Sequence, residues 1–138
     1  MTGRRRVLFL CTHNAARSQM AEGYVNSRYS EKWEAHSAGV KPGNLNPYAV
    51  RAMAEIGIDI SSHRSKSMNE FRGQHFDYVV TVCSDAADNC PFFPGDTIIH
   101  MDFPDPSAAS GTEDHVLGTF RYIRDEIIAK IDLELPNW

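Results

Sequence analysis

The run Arg6-Val7-Leu8-Phe9-Leu10 is unbroken by any polar residue after its arginine, and it stops abruptly at Cys11-Thr12-His13-Asn14. A strand with one wet face alternates apolar and polar residues, whereas an unbroken apolar strand is covered on both faces. That single feature points to a parallel sheet with helices packed against it. The rest of the chain alternates in the same way. Residues Ser18 to about Tyr29 carry Met20, Tyr24, Val25 and Tyr29 on one helical stripe. Trp33 to Ser37 reads as a second strand, closed by Ala38-Gly39. Asn46 suits the cap of the next helix, Pro47 its first position and Gly57 its exit. Ile58 to His63 leads to a short helix through Met68 and Phe71. Asp77–Val82 and Thr97–Met101 read as a third and a fourth strand. The last helix starts near Thr112, with Glu113 and Asp114 in its first turn. Its expected buried stripe is Val116, Phe120, Ile123, Ile127 and Ile131. The fold class is therefore α/β: one domain over residues 1–138, built as a small doubly wound four-stranded parallel sheet with helices on both faces. Ligands of such sheets bind beyond the carboxyl ends of the strands. Cys11, Cys83 and the Asp102–Pro106 segment all fall at that edge.

The chemistry narrows next. The net charge of -4 argues against nucleic acid as a partner. Arg4-Arg5-Arg6, the one basic cluster, reads as a solvated terminus. The apolar run after it is too short for a secretory signal, and no stretch approaches a membrane span, so a cytoplasmic location without membrane association is expected. Three cysteines stand at positions 11, 83 and 90. A reducing compartment disfavours static disulfides, which leaves catalytic, redox-active or simply buried thiols. No Cys-x-x-Cys pair is present and the histidines are scattered, so no metal site is expected.

Cys11-Thr12-His13-Asn14-Ala15-Ala16-Arg17-Ser18 joins the first strand to the first helix. Five residues between Cys and Arg let the backbone curl into a ring of N–H groups around a tetrahedral oxyanion, backed by the positive end of a helix. Arg17 can fork two oxygens of that anion. The same field favours the thiolate of Cys11 as nucleophile. Asn14 can hold a strained loop position, and Ser18 can cap the helix and donate to the sulfur. The substrate-binding set is thus Thr12, His13, Asn14, Ala15, Ala16, Arg17 and Ser18. A second candidate is Asp105, fixed between Pro104 and Pro106 on the loop after the last strand, as a general acid. Asp102 is its competitor.

Residues 11–23, Cys-Thr-His-Asn-Ala-Ala-Arg-Ser-Gln-Met-Ala-Glu-Gly, resemble the signature of arsenate reductases built on the low-molecular-weight phosphatase scaffold. Ser37-Ala38-Gly39, Gly57-Ile58-Asp59-Ile60-Ser61, Thr81-Val82-Cys83-Ser84-Asp85, Asn89-Cys90-Pro91 and Asp105-Pro106 match in register. The resemblance implies reduction of arsenate, with phosphate and sulfate as analogues. It casts Cys11 as nucleophile, Arg17 and the loop amides as oxyanion holders and Asp105 as acid. It further implies a redox relay through Cys83 and Cys90, and no resident cofactor. Electrons would come from an external thiol donor, thioredoxin being the usual one. Read as a short helix, residues 83–90 would part the two Cα atoms by about 10 Å, beyond the ~7 Å that a disulfide tolerates. A conformational switch in residues 83 to about 95 is therefore expected on oxidation; the alternative is a rigid loop that already holds both sulfurs close.

Three departures mark this chain. His13 stands where the thioredoxin-coupled members often have Gly, and Ala16 where they often have Cys; the His-Asn pair is similar to branches using glutaredoxin or mycothiol. Lys66 stands where some members carry an acidic residue that helps hold potassium near Asn14 and Glu22, so an ammonium can take the ion's place. The alternatives are a low-molecular-weight protein tyrosine phosphatase and a non-catalytic oxyanion-binding or redox-sensing regulator. The first lacks support from Ser107-Ala108-Ala109, which offers no aromatic ring to stack on a phosphotyrosine.

Overall fold

The computed structural model describes residues 3–83 and 92–138. Its strands are β1 (Arg5–Cys11), β2 (Trp33–Gly39), β3 (Tyr78–Thr81) and β4 (Thr97–His100). They form one parallel sheet in the order β2-β1-β3-β4. The α-helices are α1 (Arg17–Arg28), α2 (Pro47–Ala54) and α3 (Glu113–Glu134), with 3-10 turns at Met68–Phe71, Pro106–Ala108 and Leu135–Asn137. The chain steps from β1 outward to β2, then returns across β1 to β3. That reversal opens a crevice at the carboxyl ends of β1 and β3, where Cys11 and Cys83 lie.

The unbroken apolar run of β1 is explained by two cores. Val7, Phe9 and Cys11 face one core with Met20, Met53, Phe120 and Ile127, which come from all three α-helices. Leu8 and Leu10 face the other, with Phe71 of the 3-10 turn, Phe76, Val79 and Phe93. Each fully buried side chain of this size contributes about 1.5–3 kcal/mol, and β1 supplies them to both faces.

Local signals set the helix ends. Asn46 Oδ1 accepts the Tyr48 N–H at 2.8 Å at the start of α2. Gly57 takes the positive φ of 81° just past its end. Thr112 caps α3 by accepting the His115 N–H at 3.1 Å. β3 and β4 are shorter than expected, yet Asp77 and Val82 still donate to Arg6 and Leu10 of β1, and Met101 to Thr81.

Two helix faces differ from expectation. Leu117, not Val116, opens the buried stripe of α3, which runs Leu117, Phe120, Arg124, Ile127 and Ile131 with Ile123 beside it. An arginine lies in this regular three-four spacing. Its stem is buried while its guanidinium donates to Ala52 O at 2.8 Å and to Glu55 and Asp125. On α1, Tyr29 is only half-buried, because its hydroxyl reaches out to Asp132 on α3 at 2.6 Å. That contact and burial push its pKa up to about 12, burial being the larger cause. Among the described residues no helix is long and apolar enough to cross a membrane.

Candidate active site

Residues 12–16 leave β1 and turn into α1. Asn14 is fully buried with φ 52°, the left-handed region that a short polar side chain tolerates best. The carbonyls of the loop point away from its hollow. Thr12 O accepts from Lys41 N at 2.9 Å, His13 O from Ser65 Oγ at 2.7 Å and Ala15 O from Asn46 N at 2.9 Å. Across a planar trans peptide the N–H opposes the C=O, so this arrangement leaves the loop's amides for its concave side. Gly39 at the end of β2 makes room for the turn. A Cβ there would stand 2.7 Å from Thr12 O and 2.9 Å from Cys11 O and Asn14 N.

A chain of hydrogen bonds reaches the sulfur from behind. The Lys66 N–H, necessarily a donor, meets Asn14 Oδ1 at 2.9 Å. Asn14 Nδ2 therefore faces Ser18 Oγ, 2.7 Å away, and donates to it. The Ser18 hydroxyl hydrogen is left for Cys11 Sγ at 2.9 Å. A hydroxyl hydrogen aimed at the sulfur stabilises its thiolate form. Gln19, fully buried, adds to the clamp: its Nε2 donates to Asn14 Oδ1 at 2.9 Å and to Arg64 O at 2.8 Å. Its Oε1 faces His63 Nδ1 at 3.0 Å, which makes Nδ1 the protonated nitrogen of that ring. Ser18 is not the helix cap. α1 begins one residue earlier at Arg17, and Ala16 precedes it with no side-chain cap, because Ser18 is committed to the sulfur.

Behind the loop, Lys66 Nζ lies 3.0 Å from Arg64 O and 3.8 Å from Glu22 Oε1, and Ser37 Oγ donates to the same Glu22 oxygen. Burial holds the Lys66 ammonium below its ordinary range, with Glu22 opposing the shift. An ammonium thus stands beside Glu22, and the backbone of the same residue orients Asn14.

The front of the loop opens on a cavity of about 230 Å³. Cys11, His13, Ala15, Ala16 and Arg17 line it from the loop, Gly43 and Asn44 from the β2–α2 connection, and Asp105 and Ser107 from the opposite wall. Of the residues read as substrate-binding, Thr12, Asn14 and Ser18 do not line this cavity; Asn14 and Ser18 support it from behind. Arg17 is buried, donates from Nη1 to Phe103 O at 3.0 Å, and holds Nη2 3.8 Å from Asp105 Oδ2. Asp105 also caps the 3-10 turn after it, accepting the Ser107 N–H at 2.9 Å. Asp102 is exposed and faces a different hollow with Tyr122, Glu126 and Lys130. The two candidate acids are therefore separated by geometry.

Cys83 is fully buried two residues beyond β3, the strand next to the one that delivers Cys11, and Val82 N–H donates to Leu10 O at 2.8 Å. Cys90 and most of the expected 83–95 switch lie outside the described residues. At its far end Phe93 is buried in the second core, while Phe92 is exposed.

The sequence profile described as low molecular weight phosphotyrosine protein phosphatase matches residues 6–133. The chain belongs to that phosphatase family. An arsenate reductase of Shouchella clausii (strain KSM-K16) is 46% identical over 126 residues, covering 91% of each chain. A solved structure of an arsenate reductase in the phosphate binding state superposes with a TM-score of 0.82 at 27% identity, over 96% of this chain and 98% of that one. The thioredoxin-dependent arsenate reductase of Corynebacterium glutamicum gives a TM-score of 0.63 at 26% identity, over 96% of this chain and 64% of that one.

Residues missed by reading the sequence are Gln19, His63, Gly43, Asn44 and Ser107. Only Gln19 left a trace, as part of the signature at residues 11–23, where it stands between Ser18 and Met20.

Proposed function

We propose that this member of the family is an arsenate reductase that draws its electrons through a thiol relay. The observation that carries the reading is the burial of Cys83 just past β3, at the same sheet edge as Cys11. A phosphatase of this fold needs one cysteine and a water. Reduction needs a further redox-active cysteine, and Cys83 is disulfide-bonded in this structure. Similarity to arsenate reductases over nine-tenths of the chain supports the same choice.

The steps divide between Cys11, Arg17 and Asp105 at the cleft and the relay cysteines Cys83 and Cys90. The Cys11 thiolate attacks arsenic while Arg17 and the loop amides hold the remaining oxygens. Asp105 gives a proton to the departing oxygen, which leaves as water. The Cys83 thiolate then attacks Cys11 Sγ. The sulfur–arsenic bonding pair stays on arsenic, which falls from As(V) to As(III) as a Cys11–Cys83 disulfide forms. Cys90 attacks Cys83 next, frees Cys11 and leaves a Cys83–Cys90 disulfide. An external dithiol, with thioredoxin as the favoured donor, supplies the two electrons that close the cycle. The enzyme carries no resident cofactor, acts on arsenate with phosphate as an analogue, and works in the reducing cytoplasm.

The test is arsenite formation with thioredoxin, glutaredoxin–glutathione and mycothiol systems supplied separately. Turnover with thioredoxin is expected. Turnover confined to glutaredoxin or mycothiol would make the His13-Asn14 pair the better guide to the donor and reject thioredoxin. Phosphatase turnover without arsenite in any system would reject the reductase reading.

A further inference from the structure

At the amino ends of β3 and β4, the pole of the sheet away from Cys11, three ligand-type side chains converge. Asp77 and Asp96 each stand one residue ahead of their strand. The ladder holds them side by side: Tyr78 pairs with Thr97, Thr97 N–H bonds Asp77 O at 3.0 Å, and Asp96 N–H bonds Phe76 O at 3.1 Å. His75 brings Nε2 to 2.9 Å from Asp96 Oδ2. One ligand atom from each of His75, Asp77 and Asp96 lies within 4.8 Å of the other two.

Those distances suit a small divalent ion. With bonds of about 2.1 Å, neighbouring ligands on an ion stand roughly 3–3.4 Å apart. The His75–Asp96 pair, at 2.9 Å, stands just inside that spacing, and small side-chain rotations can set the rest. Asp77 is oriented from outside the trio, since its Oδ2 accepts the Arg6 N–H at 2.7 Å. Outer hydrogen bonds of this kind commonly aim a ligating carboxylate. The Arg6 guanidinium is engaged by Glu34, Gln74 and His75 O, and stands over the Phe76 ring.

We infer that His75, Asp77 and Asp96 form a binding site for a divalent transition-metal ion of the Zn²⁺ class. One imidazole nitrogen and two carboxylates supply a mixed donor set with a charge of about -2, which suits a borderline ion better than Mg²⁺. The remaining positions face solvent, so water completes the shell. Bound there, the ion ties the entry of β3 to the entry of β4 without touching the cleft.

The experiment uses ¹⁵N-labelled whole protein titrated with Co²⁺, a paramagnetic surrogate for Zn²⁺, because the cysteines also attract such ions and position must be read directly. Broadening is expected first in the amides of residues 74–78 and 95–98, and Zn²⁺ should reverse it. His75→Ala and Asp96→Asn, both at exposed positions, should each weaken binding here by about tenfold or more and leave arsenite formation unchanged. Broadening confined to the surroundings of Cys11 and Cys83, or unaltered in both variants, would overturn the site.

Discussion

The backbone N–H of Lys66 donates to Asn14 Oδ1 at 2.9 Å, and that bond fixes the direction of every hydrogen bond from Asn14 to Cys11. Because a peptide amide can only donate, Asn14 must present its NH₂ to Ser18, and Ser18 its hydrogen to the sulfur. Cys11, the proposed nucleophile, is thus oriented by a residue more than fifty positions away in the chain.

Ser18→Ala removes the hydroxyl that links Asn14 to Cys11, and with it both of its bonds, the one accepted from Asn14 Nδ2 at 2.7 Å and the one to Cys11 Sγ at 2.9 Å. A hydrogen bond to a charged group contributes about 1.5–3 kcal/mol, so the first chemical step should slow by about 10–100-fold while the fold stays intact. Single-turnover loss of arsenate reads this directly. A wild-type rate would mean that the Ser18 hydrogen does not serve the thiolate.

Asp105→Asn should slow the same step by about 10²–10⁴-fold, the range for loss of a general acid. Asp102→Asn should change it little, since Asp102 faces away from the Cys11 cavity. The ranking of the two variants is the test, and the opposite ranking would move the acid to Asp102.

Much of this site was legible in residue order and some was not. Cys11, Arg17 and Asp105 announced themselves because their chemistry depends on short spacing and on flanking prolines. Asn46-Pro47 and Thr112 marked helix starts because caps are local. The support behind the loop was hidden because Lys66, Arg64 and His63 meet Asn14 and Gln19 only after β2 and the following loop fold back. Ser18 suited a helix cap by residue type, but the tertiary demand of the sulfur claimed it. Arg124 concealed the true stripe of α3, since a charged residue at a core position reads as a break until its guanidinium finds Ala52 O and Glu55.

That Arg124 contact gives a pH dependence. Glu55, at the end of α2, accepts from Arg121 Nε and Nη2 at 2.9 and 2.6 Å and from Arg124 Nη1 at 3.1 Å. The Arg121 hydrogen bonds above all, with those of Arg124, hold its pKa down at about 2 against an ordinary 4.5. A depressed carboxyl contributes stability above its unfolded pKa and loses it as pH falls through the folded value. Glu55→Gln should therefore be less stable than wild type at neutral pH, with the difference shrinking between about pH 4.5 and pH 2. Urea unfolding across that window checks it; a constant offset would remove Glu55 from the acid response.

The central claim is that Cys11 is the atom that attacks arsenic. Its most direct test is arsenite formation by Cys11→Ser beside wild type, under single-turnover conditions with excess arsenate and pre-reduced protein. The serine oxygen is nearly isosteric yet lacks thiolate nucleophilicity, so the variant should keep its fold and form no arsenite while wild type forms one equivalent. Arsenite from folded Cys11→Ser would contradict the account.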